Sequence, residues 1–168
     1  RGKSELYQHL LASQGQVFIN SQNDILANMA KRFKAPMLYP AKGNFYHAEL
    51  VSADPMVTVR AENEEVFETN LIGSYNFENI AAALCIGKFF GVDPMQANEA
   101  VASYVPANMR SQVIRKNTNL IILDAYNANP SSMQAAIENL ASMRASNKVL
   151  ILGDMFELEE EAAKEHQA

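Results

Sequence analysis

The sequence carries one cysteine, Cys85, so no internal disulfide is possible, and that cysteine lies in the apolar stretch Ala81-Ala82-Ala83-Leu84-Cys85-Ile86. A thiol in such surroundings reads as a buried helix residue rather than a nucleophile, and a lone one fits a reducing compartment. Basic residues are the minority: 14 Lys and Arg stand against 19 Asp and Glu, for a net charge of -5. They are also scattered, so the electrostatic footprint of a nucleic-acid binder is missing. No apolar run approaches membrane-spanning length, which argues against membrane insertion. No secretory leader opens the chain, whose first residue is Arg1 rather than Met. There is no G-x-G-x-x-G, which leaves a dinucleotide-binding fold without positive support, and neither an internal repeat nor a low-complexity tract is present.

What remains is an ordinary globular composition, 48% apolar and 20% charged over 168 residues. That length suits one compact domain or parts of two. Helical and strand-like patterns alternate along it. Residues 3–13 and 24–33 have helical spacing, and 16–20 reads as a short buried strand. The segments 37–39, 45–52, 56–60 and 65–70 are short and rich in Val, Tyr and Phe, and they predict an antiparallel patch. Residues 76–90 form a strong helix pattern ended by Gly91, and Pro94 starts another that runs to about Tyr104. Residues 105–109 have linker character. Beyond them Asn119–Leu123 and Lys148–Leu152 are continuous apolar runs of the kind buried on both faces of a parallel sheet. A helix opened by Pro130 separates them, with Met133, Ala136, Ile137, Leu140 and Met143 as its apolar positions, and an acidic helix follows Gly153-Asp154. Strand, helix, strand, helix predicts a parallel α/β unit.

The segment Asp124-Ala125-Tyr126-Asn127-Ala128-Asn129-Pro130 falls where such a sheet binds ligands, between the carboxyl end of a strand and the amino end of the next helix. Asp124 can accept hydrogen bonds from hydroxyls such as those of a ribose. Tyr126 offers a ring and a hydroxyl, Asn127 an amide, and Asn129 a cap for the helix that Pro130 begins. The same residues also suit a plain strand-to-helix turn, and the physics alone gives the two readings comparable weight.

A resemblance adds to that reading. The run DAYNANPSSM resembles the D-x-Y-N-A-N-P-x-S-M signature of the Mur ligase family, in the members that join D-alanyl-D-alanine to UDP-N-acetylmuramoyl-tripeptide. Gly153-Asp154-Met155-Phe156-Glu157-Leu158 is similar to the family's G-D-M-x-E-L, and His166 falls where a family histidine is usual. Upstream, Gly73-Ser74-Tyr75-Asn76-Phe77-Glu78-Asn79 resembles G-x-H-N-x-x-N, with Tyr75 in place of the family's histidine. The resemblance implies that Asn76 and Asn79 lie by the adenine of ATP, and their spacing puts them on one helix face. It implies that Arg110, in Met109-Arg110-Ser111, reaches the ATP phosphates from the hinge between two domains, a task that suits a permanently charged, forked guanidinium. Gly2-Lys3-Ser4 lacks the rest of a phosphate loop and is not read as one. It is similar instead to the family's A-K-x-E, whose lysine is carbamylated, so Lys3 is implied as a catalytic residue and ligand to magnesium.

The expectation is therefore an α/β chain. Residues 1–109 would be part of a Mur ligase central ATP-binding domain with a mixed sheet and helices, and 110–168 the start of a Rossmann-like C-terminal domain. The implied cofactors are ATP and Mg2+, and the implied setting is the bacterial cytoplasm. Asn76, Asn79, Arg110, Asp124, Tyr126 and Asn127 are the implied nucleotide contacts, Lys3 and Arg110 the catalytic pair, and His166 a further candidate. The chain by itself is expected to lack ligase activity, because the family's phosphate loop and sugar-nucleotide domain have no counterpart in it. Two alternatives stay open: a ligase of the same fold, such as a folylpolyglutamate synthase, and a non-catalytic nucleotide-binding module.

Overall fold

A computed structural model describes residues 2–107, 109–156, 158 and 162–166, apart from the side chains of residues 2–4 and 165. Helix α1 (Gly2–Ala12) leads to strand β1 (Phe18–Asn20), helix α2 (Asp24–Ala30) and strand β2 (Met37–Tyr39). The side chain of Asn23 caps α2, accepting from the Leu26 amide at 3.1 Å. The sequence pattern placed Met37–Tyr39 in the antiparallel patch. In the structure β2 instead runs parallel to β1, pairing Phe18 with Met37 and Asn20 with Tyr39. The reason is connectivity, since a helix between two strands carries the chain back to start the second in the same direction. A small core of Val17, Ile19 and Ala30 fills this unit, with Tyr7, Leu10 and Phe33 against it. Phe33 lies beyond the end of α2 and sets its ring edge against Tyr7, with centroids 6.0 Å apart.

The main core lies under a three-stranded antiparallel sheet of β3 (Glu49–Ala53), β4 (Met56–Arg60) and β5 (Val66–Ile72), in the order β3-β4-β5. Alternation along β4 turns Val57 and Val59 fully inward. Helix α3 (Asn76–Phe89) covers them with a stripe of Ile80, Ala81, Leu84 and Cys85, all at most 2% exposed. Each such Ile or Leu contributes roughly 1.5–3 kcal/mol through burial. Burial also pushes the Cys85 thiol up to about 11, which agrees with the inert thiol read from the sequence. The strand expected over 45–52 begins only at Glu49. Tyr46 and Ala48 fold onto the core instead, their amides donating to the carbonyls of Leu38 and Pro40 at 3.1 Å each. Gly91, at φ +73, ends the turn after α3, as the sequence indicates. Asp93 then caps α4 (Pro94–Ser103) by accepting from the amides of Met95 and Gln96.

From residue 109 onward the layout departs further from expectation. Strand β7 (Asn119–Leu123) pairs antiparallel with β6 (Gln112–Lys116), from Gln112–Leu123 to Lys116–Asn119. The sequence pattern does not mark β6, and it predicts β7 in a parallel sheet. The hairpin forms because Asn117 takes a left-handed φ of +55 at the turn, a conformation Asn tolerates well. Helix α5 (Pro130–Ser142) follows as expected, and α6 (Ala162–Glu165) is the last described element. Lys148–Leu152, expected as a second buried strand, is not paired into a sheet, and Val149 and Ile151 are 80% and 91% exposed. Apolarity favours covering such a run but does not supply the neighbours that cover it. No described helix is long and apolar enough to cross a membrane.

Candidate functional site

β5 ends at Ile72, and the buried Gly73 turns the chain at φ +85 into α3. Only glycine takes that conformation without strain. The first residues of α3 therefore emerge at the sheet's edge. Across from them, β7 delivers Asp124 to Asn129 at the amino end of α5. A cleft of about 570 Å³ opens between the two. Its first wall is Leu71, Tyr75, Asn76 and Asn79; its second is Asp124, Tyr126, Asn127, Asn129 and Ser132. Tyr104, Pro106, Arg110 and Ser111 close one edge. All six residues expected to contact a nucleotide thus face one cavity, although they come from stretches far apart in sequence.

The two asparagines of the first wall do different work. Asn76 is buried, its side-chain Nδ2 donating to the Ile72 carbonyl at 2.7 Å, so it locks the helix start to the end of β5. Asn79 is exposed and donates through Nδ2 to Asn76 Oδ1 at 3.1 Å. That bond leaves the Asn79 carbonyl oxygen as the acceptor presented at this wall. Neither Ser74 nor Asn76 caps α3. Its first turn begins at Tyr75 with no side-chain cap.

In the second wall Asn129 and Ser132 form a reciprocal capping box: the Ser132 amide donates to Asn129 Oδ1 at 3.0 Å, and the Asn129 amide donates to Ser132 Oγ at 3.1 Å. The cap anticipated at Asn129 is therefore present. It fixes how α5 aims its amino end, the positive end of its dipole, at the cleft. Asn127 accepts through Oδ1 from the Ala128 amide at 2.9 Å, which tightens the turn. Asp124 Oδ1 accepts from the Ser111 amide at 3.2 Å. Tyr126 is 62% exposed, and the guanidinium of Arg110 sits 4.0 Å from its ring centroid, a cation–π stack.

Two sequence candidates fall elsewhere. Lys3 lies in α1, but its side chain is outside the described residues. His166 is not in the cleft lining: its Nδ1–H donates to the Ala162 carbonyl at 2.7 Å, and Nε2 accepts from the Met155 amide at 3.0 Å. It ties the residue after α6 to the Gly153-Asp154-Met155 segment. Conversely, Ser111 was not singled out from the sequence. It is buried at a left-handed φ of +49, and a serine at such a φ carries no local sequence signal. It receives the Tyr75 phenol, whose Oη lies 2.8 Å from Ser111 Oγ. Burial holds that phenol above its ordinary range; the Ser111 bond opposes the shift and the Asp124 charge adds to it.

The cleft gathers aromatic, amide and charged groups of the kinds that can hold a nucleotide. It offers a flat ring and an amide for a base, a carboxylate for a diol, and a guanidinium with a helix amino end for phosphate. Cys85 is buried in the core, away from the cleft lining.

Comparison with known proteins gives this geometry relatives. Residues 109–168 match the family model described as Mur ligase, glutamate ligase domain. The UDP-N-acetylmuramoyl-tripeptide–D-alanyl-D-alanine ligase of Bacillus subtilis (strain 168) is 39% identical over 97 residues, 56% of this chain and 21% of that enzyme. Among solved structures, MurF from Acinetobacter baumannii superposes with a TM-score of 0.78 at 28% identity, over 98% of this chain and 37% of that one. The MurF ligase of Thermotoga maritima in complex with ADP shares the fold, with a TM-score of 0.71 at 22% identity over 91% of this chain and 36% of that one. The chain thus spans well under half the length of the relatives it matches.

Proposed function

We propose that the chain belongs to the Mur ligase family, as the match of residues 109–168 and the likeness to MurF support, and that it forms the nucleotide-gripping hinge region of an ATP-dependent ligase that joins D-alanyl-D-alanine to UDP-N-acetylmuramoyl-tripeptide. The observation that carries this reading is the single cleft holding Asn76, Asn79, Arg110, Asp124, Tyr126 and Asn127. The match of the glutamate ligase domain to 109–168 supports placing a domain boundary near Met109, with 1–109 and 110–168 on its two sides.

In this reading the Tyr126 ring and the Asn79 amide hold the base, and the Asp124 carboxylate accepts from the ribose hydroxyls. Arg110 turns from its stack on Tyr126 toward the phosphates. ATP phosphorylates the terminal carboxylate of the tripeptide, and the amine of D-alanyl-D-alanine displaces phosphate from the resulting acyl phosphate. Most of the catalysis is positioning and charge stabilisation, to which Arg110 contributes a fixed positive charge. Among the described residues no three or more His, Cys, Asp or Glu stand together. Magnesium would be held largely through the ATP phosphates, with a carbamylated Lys3 as the ligand this chain adds.

The sister-ligase alternative loses ground because the relatives matched are D-alanyl-D-alanine ligases. The decisive experiment is ADP release by the full-length protein that carries this chain. The expected result is release that requires both the tripeptide nucleotide and D-alanyl-D-alanine. Release supported instead by a folate and glutamate, or none with any acceptor, would sink the proposal; the second outcome would favour a non-catalytic module.

A further inference from the structure

Tyr75 stands where the family resemblance leads one to expect histidine, and the structure gives it a contact that an imidazole is too short to make from the same place. Its hydroxyl lies 2.8 Å from Ser111 Oγ, across the cleft edge from α3. The Ser111 amide in turn donates to Asp124 Oδ1 at 3.2 Å. One buried residue therefore ties the first wall to the second. The ring lies directly over Gly73, where a Cβ would come within 2.9 Å of the Tyr75 Cζ, so this packing requires glycine. Ser111 is itself constrained, 5% exposed at φ +49. The phenol keeps its proton at neutral pH, so it is available to donate.

We propose that Tyr75 is a positioning residue, a latch that sets the width of the cleft through the chain Tyr75–Ser111–Asp124. It acts through Ser111, holding the carboxylate wall opposite Asn79. The binding arm of the test rests on the nucleotide reading above, whereas the distance arm does not.

The test uses spin labels on α3 and α5, at the exposed positions Ala83→Cys and Ala141→Cys; the buried Cys85 stays unlabelled. Without nucleotide, the parent chain is expected to give a narrow distance distribution. Tyr75→Phe and Ser111→Ala, each lacking one hydroxyl of the bond, are expected to broaden and lengthen it, and the double variant to go no further. Tyr75→His is expected to behave like Tyr75→Phe. Affinity for a fluorescent ATP analogue is expected to fall by about threefold to tenfold in either single variant and by the same factor in the double. An unchanged distribution in Tyr75→Phe, or single-variant effects that multiply in the double, would overturn the latch. Should Tyr75→Phe not fold, Ser111→Ala alone decides, because it deletes only one oxygen. If no variant and no parent chain binds the analogue, the nucleotide reading falls while the distance arm still judges the latch.

Discussion

In the sheet β3–β5 and the helix that covers it, Val57, Val59, Ile80 and Leu84 are at most 2% exposed. From β6 onward, Met143 is the buried hydrophobic residue among those described, and Val149 and Ile151 stand almost wholly in solvent. Yet this sparsely packed stretch carries the DAYNANP motif and most of the second wall. The contrast separates two kinds of information. Packing holds the first region in place and can be tested by removing volume. The second region is held near the cleft by polar ties: the Ala125 amide to the Met109 carbonyl at 2.8 Å, Ser111 to Asp124, and the Arg144 amide to Asp54 Oδ1 at 3.2 Å. Such ties give direction and little bulk stability, since each contributes about 0.5–1.5 kcal/mol net.

Removing volume is the strongest way to sharpen the contrast. Leu84→Ala is expected to cost about 2–5 kcal/mol, the range for a fully buried leucine. Urea unfolding measures it, and a loss under about 1 kcal/mol would show that the core is looser than described. An intermediate effect is expected from alkali. Burial raises the Cys85 thiol from 9.0 to about 11 and the Tyr46 phenol from 10.0 to about 12. Both groups are harder to ionise folded than unfolded, so their contribution is complete below about pH 9 and is lost as pH climbs toward about 12. Unfolding midpoints should fall across that window, and Tyr46→Phe should flatten the upper part of the decline. Least is expected from Ile137→Ala in α5, where the side chain is 39% exposed. A change below about 1 kcal/mol fits a weakly packed helix, and a loss like that of Leu84→Ala would erase the contrast between the two regions.

The same contrast explains what could be read without coordinates. Helices α3, α4 and α5 were legible because Asn76–Phe89 carries a strong apolar stripe, Pro94 and Pro130 mark starts, and Gly91 marks a stop. Strand partners were not legible. Met37–Tyr39 and Asn119–Leu123 are apolar enough for either kind of sheet, and only connectivity and the Asn117 turn settled which strand each joins. The cleft residues were legible as candidates because motif spacing survives any packing. Their individual duties were not: that Asn76 is tied to Ile72 while Asn79 is open depends on where β5 ends. Ser111 escaped altogether, since its importance comes from two partners distant in sequence, Tyr75 and Asp124.

The central claim is that this cleft seats an adenine nucleotide. Hydrogen exchange of the backbone amides, with and without saturating ATP, tests it most directly. Slowed exchange is expected at the start of α3 and from Arg110 through Ser132, with residues 148–152 unchanged. Exchange unaltered at both walls, or protection confined to residues outside the cleft, would contradict it.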